Sequence, residues 1–123
     1  MRKIINNNRS KIPPKEQLQT LIDHYNSERY CEAENLALSL TNEFPMHQFA
    51  WKVLGAVQKQ TGRVTEALTS MLKSLQINSK DAETHNNVGV TLKELGRLKE
   101  AVKSYKKAIM IEPNYSEAYN NLG

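Results

Sequence analysis

Apolar residues recur at intervals of three and four along most of this chain, which is the spacing of one face of a helix. In the first such segment they are Leu18, Leu21, Ile22 and Tyr25. In the second they are Ala33, Leu36, Ala37 and Leu40. Polar or glycine-containing turns separate one segment from the next, and Pro45 and Pro113 each follow a segment. The pattern predicts an all-α chain of six short helices and the beginning of a seventh.

The same skeleton returns along the chain at a period of about 34 residues. The positions in register are Gly55, Gly89 and Gly123; Gly62 and Gly96; Arg29, Arg63 and Arg97; Glu32, Glu66 and Glu100; and Ala33, Ala67 and Ala101. Pro45 and Pro113 are separated by two such periods, with Ser79 in the slot between them. A period of 20–50 residues is typical of stacked repeats, in which each unit covers the apolar face of its neighbour.

The period divides the chain into units. We expect a flexible, basic polar arm at 1–13, repeats at 14–47, 48–81 and 82–115, and a truncated fourth repeat at 116–123. The first repeat is degenerate, because Leu21 and Glu28 stand where later repeats have glycine. Bulk at Leu21 should hold its two helices further apart, as in a capping repeat. Because the last unit stops in mid-helix, with apolar Tyr119 and Leu122 expected to be unpaired, the chain is interpreted as a fragment of a longer protein.

Small residues mark the places where paired helices should cross closely. Gly55 faces Ala67 in the second unit, and Gly89 faces Ala101 in the third, with larger residues such as Tyr105 filling the space around them. Asp81 precedes the third unit and is expected to cap its first helix.

These residues resemble the tetratricopeptide repeat family. The third unit carries the signature at Gly89, Leu92, Gly96, Ala101, Tyr105, Ala108 and Pro113. The second carries Trp51, Leu54, Gly55, Gly62 and Ala67, and the first carries Tyr30, Ala33 and Pro45. The resemblance implies a right-handed α-solenoid of antiparallel helix pairs, about three repeats plus a truncated fourth, whose first helices line a concave groove.

In that register, the groove-lining positions that are not needed for packing form the candidate peptide-binding site. They are Leu18, Ile22, Tyr25, Phe49, Lys52, Ala56, Lys59, Asn86, Asn87, Val90, Lys93, Asn120 and Asn121, with Asn26, Gln60, Glu83 and Glu94 beside them. Amide side chains donate and accept hydrogen bonds and suit the backbone of an extended peptide. The expected ligand has an apolar anchor and acidic or backbone-accepting groups. Leu18 and Ile22 occupy the places where related repeats grip a terminal carboxylate, so that clamp is not expected.

The net charge of +4 comes from the N-terminal arm. The chain has 17 Lys and Arg side chains and 13 Asp and Glu side chains. Four of the basic side chains and none of the acidic ones lie at 1–13, so the repeats hold equal numbers of each sign. This balance argues against nucleic-acid binding by the repeats, because such binding requires a basic face on the folded body.

Two further features concern the location of the protein. The single cysteine, Cys31, excludes an internal disulfide and favours a reducing, cytoplasmic location. No run of about 18 apolar residues suggests a membrane span.

The sequence shows no pattern typical of catalysis. His24, His47 and His85 are far apart in the register, and no His, Cys or acidic cluster has the spacing of a metal site. The chain is therefore predicted not to be an enzyme, and no cofactor, metal or small-molecule substrate is expected.

Two functions remain open for the folded repeats, and nucleic-acid binding through the basic arm is a third class, which predicts binding that weakens steeply with salt. One is a module that binds a protein or an extended peptide segment in the concave groove. The other is the substrate-presenting arm of a larger enzyme, because the A-Y-N-N-L-G and L-K-E-L-G-R-L-K-E-A phrases are similar to repeats that precede glycosyltransferase or sulfotransferase domains, including arms resembling those of O-GlcNAc transferases. Self-association through the exposed C-terminal end is also expected.

Overall fold

A computed structural model describes residues 12–123, so most of the basic arm predicted at 1–13 lies outside the described residues. Residues 12–123 form helices joined by short turns, and this part of the chain has no strand. The seven helices are α1 (Lys15–Asn26), α2 (Tyr30–Glu43), α3 (Gln48–Gln60), α4 (Val64–Ile77), α5 (Ala82–Glu94), α6 (Leu98–Ile111) and α7 (Ser116–Leu122). Consecutive helices pair, and each pair packs on the next, which is the all-α solenoid predicted from the period.

The turns inside the three helix pairs share one geometry. In the first, the amide of Arg29 donates to the carbonyl of His24 at 2.9 Å and the amide of Glu28 donates to that of Tyr25 at 3.0 Å. This pair of bonds is the Schellman motif, which requires a left-handed residue after the helix. Gly62 and Gly96 occupy that place at φ 85° and 79°, and Glu28 occupies it at φ 61°. The repeat therefore preserves the turn even where its glycine is missing.

Close helix crossings explain the other repeated glycines. A Cβ built on Gly89 would lie 2.5 Å from Cε1 of Tyr105, and one built on Gly55 would lie 2.9 Å from Cγ of Met71. Met71 and Tyr105 are themselves one period apart, so the same contact recurs in successive repeats. In the first pair Leu21 takes the glycine's place, and α1 is in less extensive contact with α2 than the later first helices are with their partners. The wider spacing expected for the first pair is confirmed.

Two apolar clusters form most of the core. The first joins α1, α2 and α3, and the second joins α4, α5 and α6. Leu122 on α7 packs against the second cluster, so the expectation that it would be unpaired is wrong. Tyr119, on the same short helix, is 50% exposed, which agrees with the expectation for that residue.

Candidate binding groove

The first helices of three successive units, α1, α3 and α5, enclose a pocket of about 270 Å³. We call its lining residues the inner groove: Ile22, Tyr25, Asn26, Phe49, Lys52, Val53, Ala56, Glu83 and Asn87. Helical register explains how they meet. Phe49, Lys52, Val53 and Ala56 follow one another at spacings of three, one and three along α3, which keeps them on one face. The groove is therefore a product of the repeat, which presents the same face of each first helix.

The walls of the pocket are apolar at the N-terminal end of the array. Ile22, Tyr25 and Phe49 are half-buried, and each retains surface that a ligand can cover. The ring of Tyr25 lies 5.7 Å from that of Tyr30, with the two planes tilted by 58°, which is a favourable aromatic arrangement. Tyr25 is therefore held in place as part of a preformed wall.

Lys52 supplies the positive charge of the inner groove, but two carboxylates already neutralise it. Its Nζ lies 3.0 Å from Oδ2 of Asp81 and 2.8 Å from Oε1 of Glu83. Burial alone would lower the pKa of Lys52, and the hydrogen bonds to Glu83 and Asp81 outweigh burial and raise the pKa above its ordinary value. The ammonium group stays charged and is paired with two carboxylates of the chain itself, and a contact between Lys52 and a ligand stays a prediction.

Asp81 connects this ion pair to the backbone. Its Oδ1 accepts from the amide of Thr84 at 3.2 Å, which makes it the N-cap predicted for the third unit. Its Oδ2 accepts from Nε2 of Gln48 at 2.9 Å. Burial would raise the pKa of Asp81, but hydrogen bonds from Gln48, Lys52 and Thr84 together lower it to about 2. The carboxylate thus fixes the start of α5 against α3, beneath the inner groove.

The predicted column of asparagines is only partly available to a ligand. Asn87 lines the inner groove. Asn86 is fully buried, and its Oδ1 accepts from Nδ2 of Asn121 at 3.0 Å. This bond joins α5 to α7 and occupies two side chains that were expected to face the groove. The expectation that Asn86 contacts a ligand is therefore wrong, because the last helix covers it.

The remaining predicted site residues lie around the inner groove. Leu18 and Val90 are half-buried and pack against the two core clusters. Lys59 is half-buried, whereas Lys93 and Asn120 are exposed. Val53 belongs to the inner groove although sequence reasoning missed it, and its position one helical turn after Phe49 was the available signal.

Residues 12–123 contain the three histidines and the single cysteine of the chain. This part of the chain has no group of three or more His, Cys, Asp or Glu side chains positioned to hold a metal ion. Two of its histidines have local polar partners: Nδ1 of His24 accepts from Nε of Arg29 at 3.2 Å, and Nε2 of His85 lies 2.9 Å from the carbonyl of Ser79. None of the helices described is long and apolar enough to cross a membrane.

The C-terminal part of the chain matches a known family. A family model described as TPR repeat matches residues 91–123. No curated protein sequence matches the chain.

Solved structures match the fold over a longer range. The crystal structure of MamA matches with a TM-score of 0.83 at 17% identity, over 86% of this chain and 62% of MamA, so this chain spans less than two thirds of that protein. The Yersinia enterocolitica type III secretion chaperone SycD, in complex with a peptide of the translocator YopD, matches with a TM-score of 0.83 at 17% identity over 88% of each chain. The first TPR of Spaghetti (RPAP3), bound to the HSP90 peptide SRMEEVD, matches with a TM-score of 0.84 at 18% identity over 90% of each chain.

At these identities the structural matches establish the fold. Together with the family match they agree with the repeat period, the paired helices and the recurring glycine contacts. Residues 91–123 match the family model of the TPR repeat, and the described part of the chain has the same all-α solenoid fold as solved TPR domains.

Proposed function

We propose that this chain is a non-catalytic interaction module whose inner groove binds an extended segment of a protein partner. The observation that carries the proposal is the preformed pocket between α1, α3 and α5, with apolar walls and amide side chains at its border. Ile22, Tyr25 and Phe49 would receive an apolar side chain of the ligand. Asn26 and Asn87 would hydrogen-bond its backbone.

The size of the pocket favours one side chain over a whole small molecule. Small-molecule sites usually enclose about 300–1,000 Å³ and bury most of the ligand. The inner groove has about 270 Å³ and opens along the array, so an anchor residue fits while the rest of the segment continues past it. The peptides named in the SycD and RPAP3 structures support the same kind of use for this fold.

The charges in the inner groove favour a ligand whose acidic groups lie away from its apolar anchor residue. Lys52 is neutralised by Asp81 and Glu83, so the pocket itself offers no net positive charge. Lys59 and Lys93 form no ion pair with another residue of the described chain and remain the candidates for contacting acidic groups further along. Ile22 gives the first helix an apolar face, which suits an internal segment better than a terminal carboxylate.

The role of a substrate-presenting arm is not part of the proposal. It rests on sequence phrases shared with repeats that precede glycosyltransferase or sulfotransferase domains, and the structures described above are of neither class.

The test is selection of random peptides on the immobilised full chain, followed by binding measurements with the selected peptides. Ala56→Leu would fill the pocket, whereas Asn42→Leu would add the same side chain at an exposed position of α2. We expect Ala56→Leu to weaken binding at least about tenfold and Asn42→Leu to leave it unchanged, with circular dichroism and urea unfolding confirming that both variants fold. Selection of no peptide, or equal affinity in both variants, would reject the inner groove as the site.

A further inference from the structure

Another pocket, of about 200 Å³, lies between the second helices α4 and α6 and is also lined by α5. We define the outer pocket by Leu68 and Leu72 on α4, Leu92 on α5, and Lys103 and Lys107 on α6. Leu72 is 46% exposed, so part of the apolar lining is in contact with solvent. The outer pocket shares no lining residue with the inner groove.

The repeat supplies an internal comparison, because the equivalent residues one unit earlier are polar and paired. There Glu34 stands at the position of Leu68 and Gln58 at the position of Leu92. Glu34 pairs with Arg63, and Gln58 accepts a buried hydrogen bond of 2.7 Å from Ser70. The Glu34–Arg63 pair therefore joins the first unit to the second, and the Ser70–Gln58 bond joins the two helices of the second unit.

Both contacts are lost at the second junction, and the consequence is visible in the side chains. Arg97, the equivalent of Arg63, has no carboxylate at Leu68 and keeps only the local pair with Glu100 at 2.6 Å, which is the counterpart of the Arg63–Glu66 pair at 3.6 Å. Ser104, the equivalent of Ser70, faces a junction where Leu92 has no acceptor to offer. Apolar surface and open space lie at this place in the second junction.

The rim of the outer pocket is basic. Lys103 and Lys107 are one helical turn apart on α6, and both are exposed. Neither forms an ion pair with another residue of the range 12–123, and Glu100, the acidic residue that lines the pocket, already pairs with Arg97. The pocket thus combines an exposed leucine with two lysines that have no carboxylate partner in the described structure.

We propose that the outer pocket is a second docking surface, and that its occupant is an acidic protein segment carrying one apolar side chain between Asp or Glu residues. The apolar side chain packs against Leu68 and Leu72, and the flanking carboxylates pair with Lys103 and Lys107. Charge complementarity selects the sign of the partner, and the apolar lining selects a protein segment over a simple polyanion. A nucleic acid would engage the lysines but would gain little from Leu72.

The experiment uses three fluorescein-labelled pools of short peptides with a central Leu or Phe. The flanking positions are Asp and Glu in the first pool, Asn and Gln in the second, and Lys and Arg in the third. A fourth pool keeps the acidic flanks and replaces the central residue with Ser. Binding to the full chain is measured by fluorescence anisotropy at two salt concentrations, with polyuridylate as a competitor.

Two matched pairs of variants locate the site. Lys103→Gln/Lys107→Gln removes the lysines of the rim, and Lys99→Gln/Lys106→Gln removes the same charge from exposed positions of the same helix outside the pocket. Leu72→Asn removes the exposed leucine of the pocket. Leu38→Asn removes its counterpart one repeat earlier, which is also 46% exposed. These substitutions are at exposed positions, so loss of binding is separable from loss of folding, which circular dichroism checks.

We expect the acidic apolar pool to bind at least about fivefold more tightly than the other three, and more weakly at high salt. Lys103→Gln/Lys107→Gln and Leu72→Asn should each weaken that binding at least about fivefold, and their controls less than about twofold. Three results would each overturn the proposal. The first is an equal loss of binding in the two double lysine variants, and the second is equal binding of the acidic pools with an apolar and with a Ser centre. The third is displacement of the peptides by polyuridylate to the same extent with Leu72 and with Leu72→Asn. Ala56→Leu, which fills the inner groove, should leave binding of the acidic pool unchanged, so the two surfaces are tested independently.

Discussion

Nζ of Lys52 lies 3.0 Å from Oδ2 of Asp81, and this ion pair joins the first helix of the second repeat to the beginning of the third. The same carboxylate accepts hydrogen bonds from Gln48 and from the backbone of Thr84. One side chain thereby caps α5, neutralises the cation of the inner groove and fixes the distance between two repeats. The role of Asp81 therefore depends on contacts between two repeats and not on either repeat alone.

Asp81→Asn tests the contribution of this charge. Because the pKa of Asp81 is lowered to about 2 in the folded chain, its ionised form stabilises the fold at neutral pH, and this stabilisation is lost as the pH falls from about 5 towards 2. Asparagine is also a good N-cap, so the variant removes mainly the charge. We expect it to lose about 1 kcal/mol at pH 7, after allowance for solvent screening, and about half of that at pH 3.

Urea unfolding at the two pH values measures the difference. Asp23→Asn is the control, since Asp23 is exposed on α1 and has no ion pair with the described residues. If Asp81→Asn loses the same free energy of unfolding at both pH values, the electrostatic explanation is contradicted.

Glu28→Gly should stabilise the first turn. Glu28 has φ 61°, a left-handed conformation that is unfavourable for residues with a Cβ. The expected gain is about 0.5–1 kcal/mol, because relief of strain exceeds the entropy that glycine adds to the unfolded chain. Urea unfolding of Glu28→Gly and Glu28→Gln separates backbone strain from charge, and equal stability of the two variants would refute the strain argument.

Gly89→Ala should destabilise the third repeat by about 1–3 kcal/mol, because its Cβ would lie 2.5 Å from the buried ring of Tyr105. Gly55→Ala should have a smaller effect, since it meets the flexible side chain of Met71 at 2.9 Å. Thermal unfolding compares the two variants. Addition of Tyr105→Leu should restore part of the loss in Gly89→Ala, and no rescue would mean that the close crossing is not the cause.

Asn121→Ala should release α7 from the array. The change leaves buried Asn86 without its hydrogen-bond donor, a loss of about 1–2 kcal/mol. Hydrogen exchange should rise at the amides of α7 before those of α3. In Asn121→Ala/Asn86→Leu both polar partners are gone, so we expect recovery of most of the stability. If Asn121→Ala leaves hydrogen exchange in α7 unchanged, the hydrogen bond between Asn121 and Asn86 does not hold α7 on the array.

Self-association through α7 remains a prediction. Tyr119 is 50% exposed there and offers an aromatic surface to a second copy. Sedimentation over a wide concentration range should show a dimer that Tyr119→Lys weakens. A monomer at every concentration would exclude this contact.

Local and periodic features were predictable from the sequence. The three left-handed turns depend on hydrogen bonds between residues that are close along the chain, and the recurring glycines Gly55 and Gly89 reveal where paired helices cross. Most of the inner groove was also predictable, because helical register places Phe49, Lys52 and Ala56 on one face.

The tertiary structure decided which of those side chains remain available. Lys52 pairs with two carboxylates at the start of the next repeat, and Asn86 is covered by α7, which contributes Asn121. Leu68 lines the outer pocket, and Arg97 has no partner there equivalent to the Glu34 that pairs with Arg63. The repeat period determines the backbone of each unit and its packing on the next. The partner of each polar side chain depends on which residues of neighbouring repeats lie within hydrogen-bond distance of it. Only the tertiary structure gives those distances.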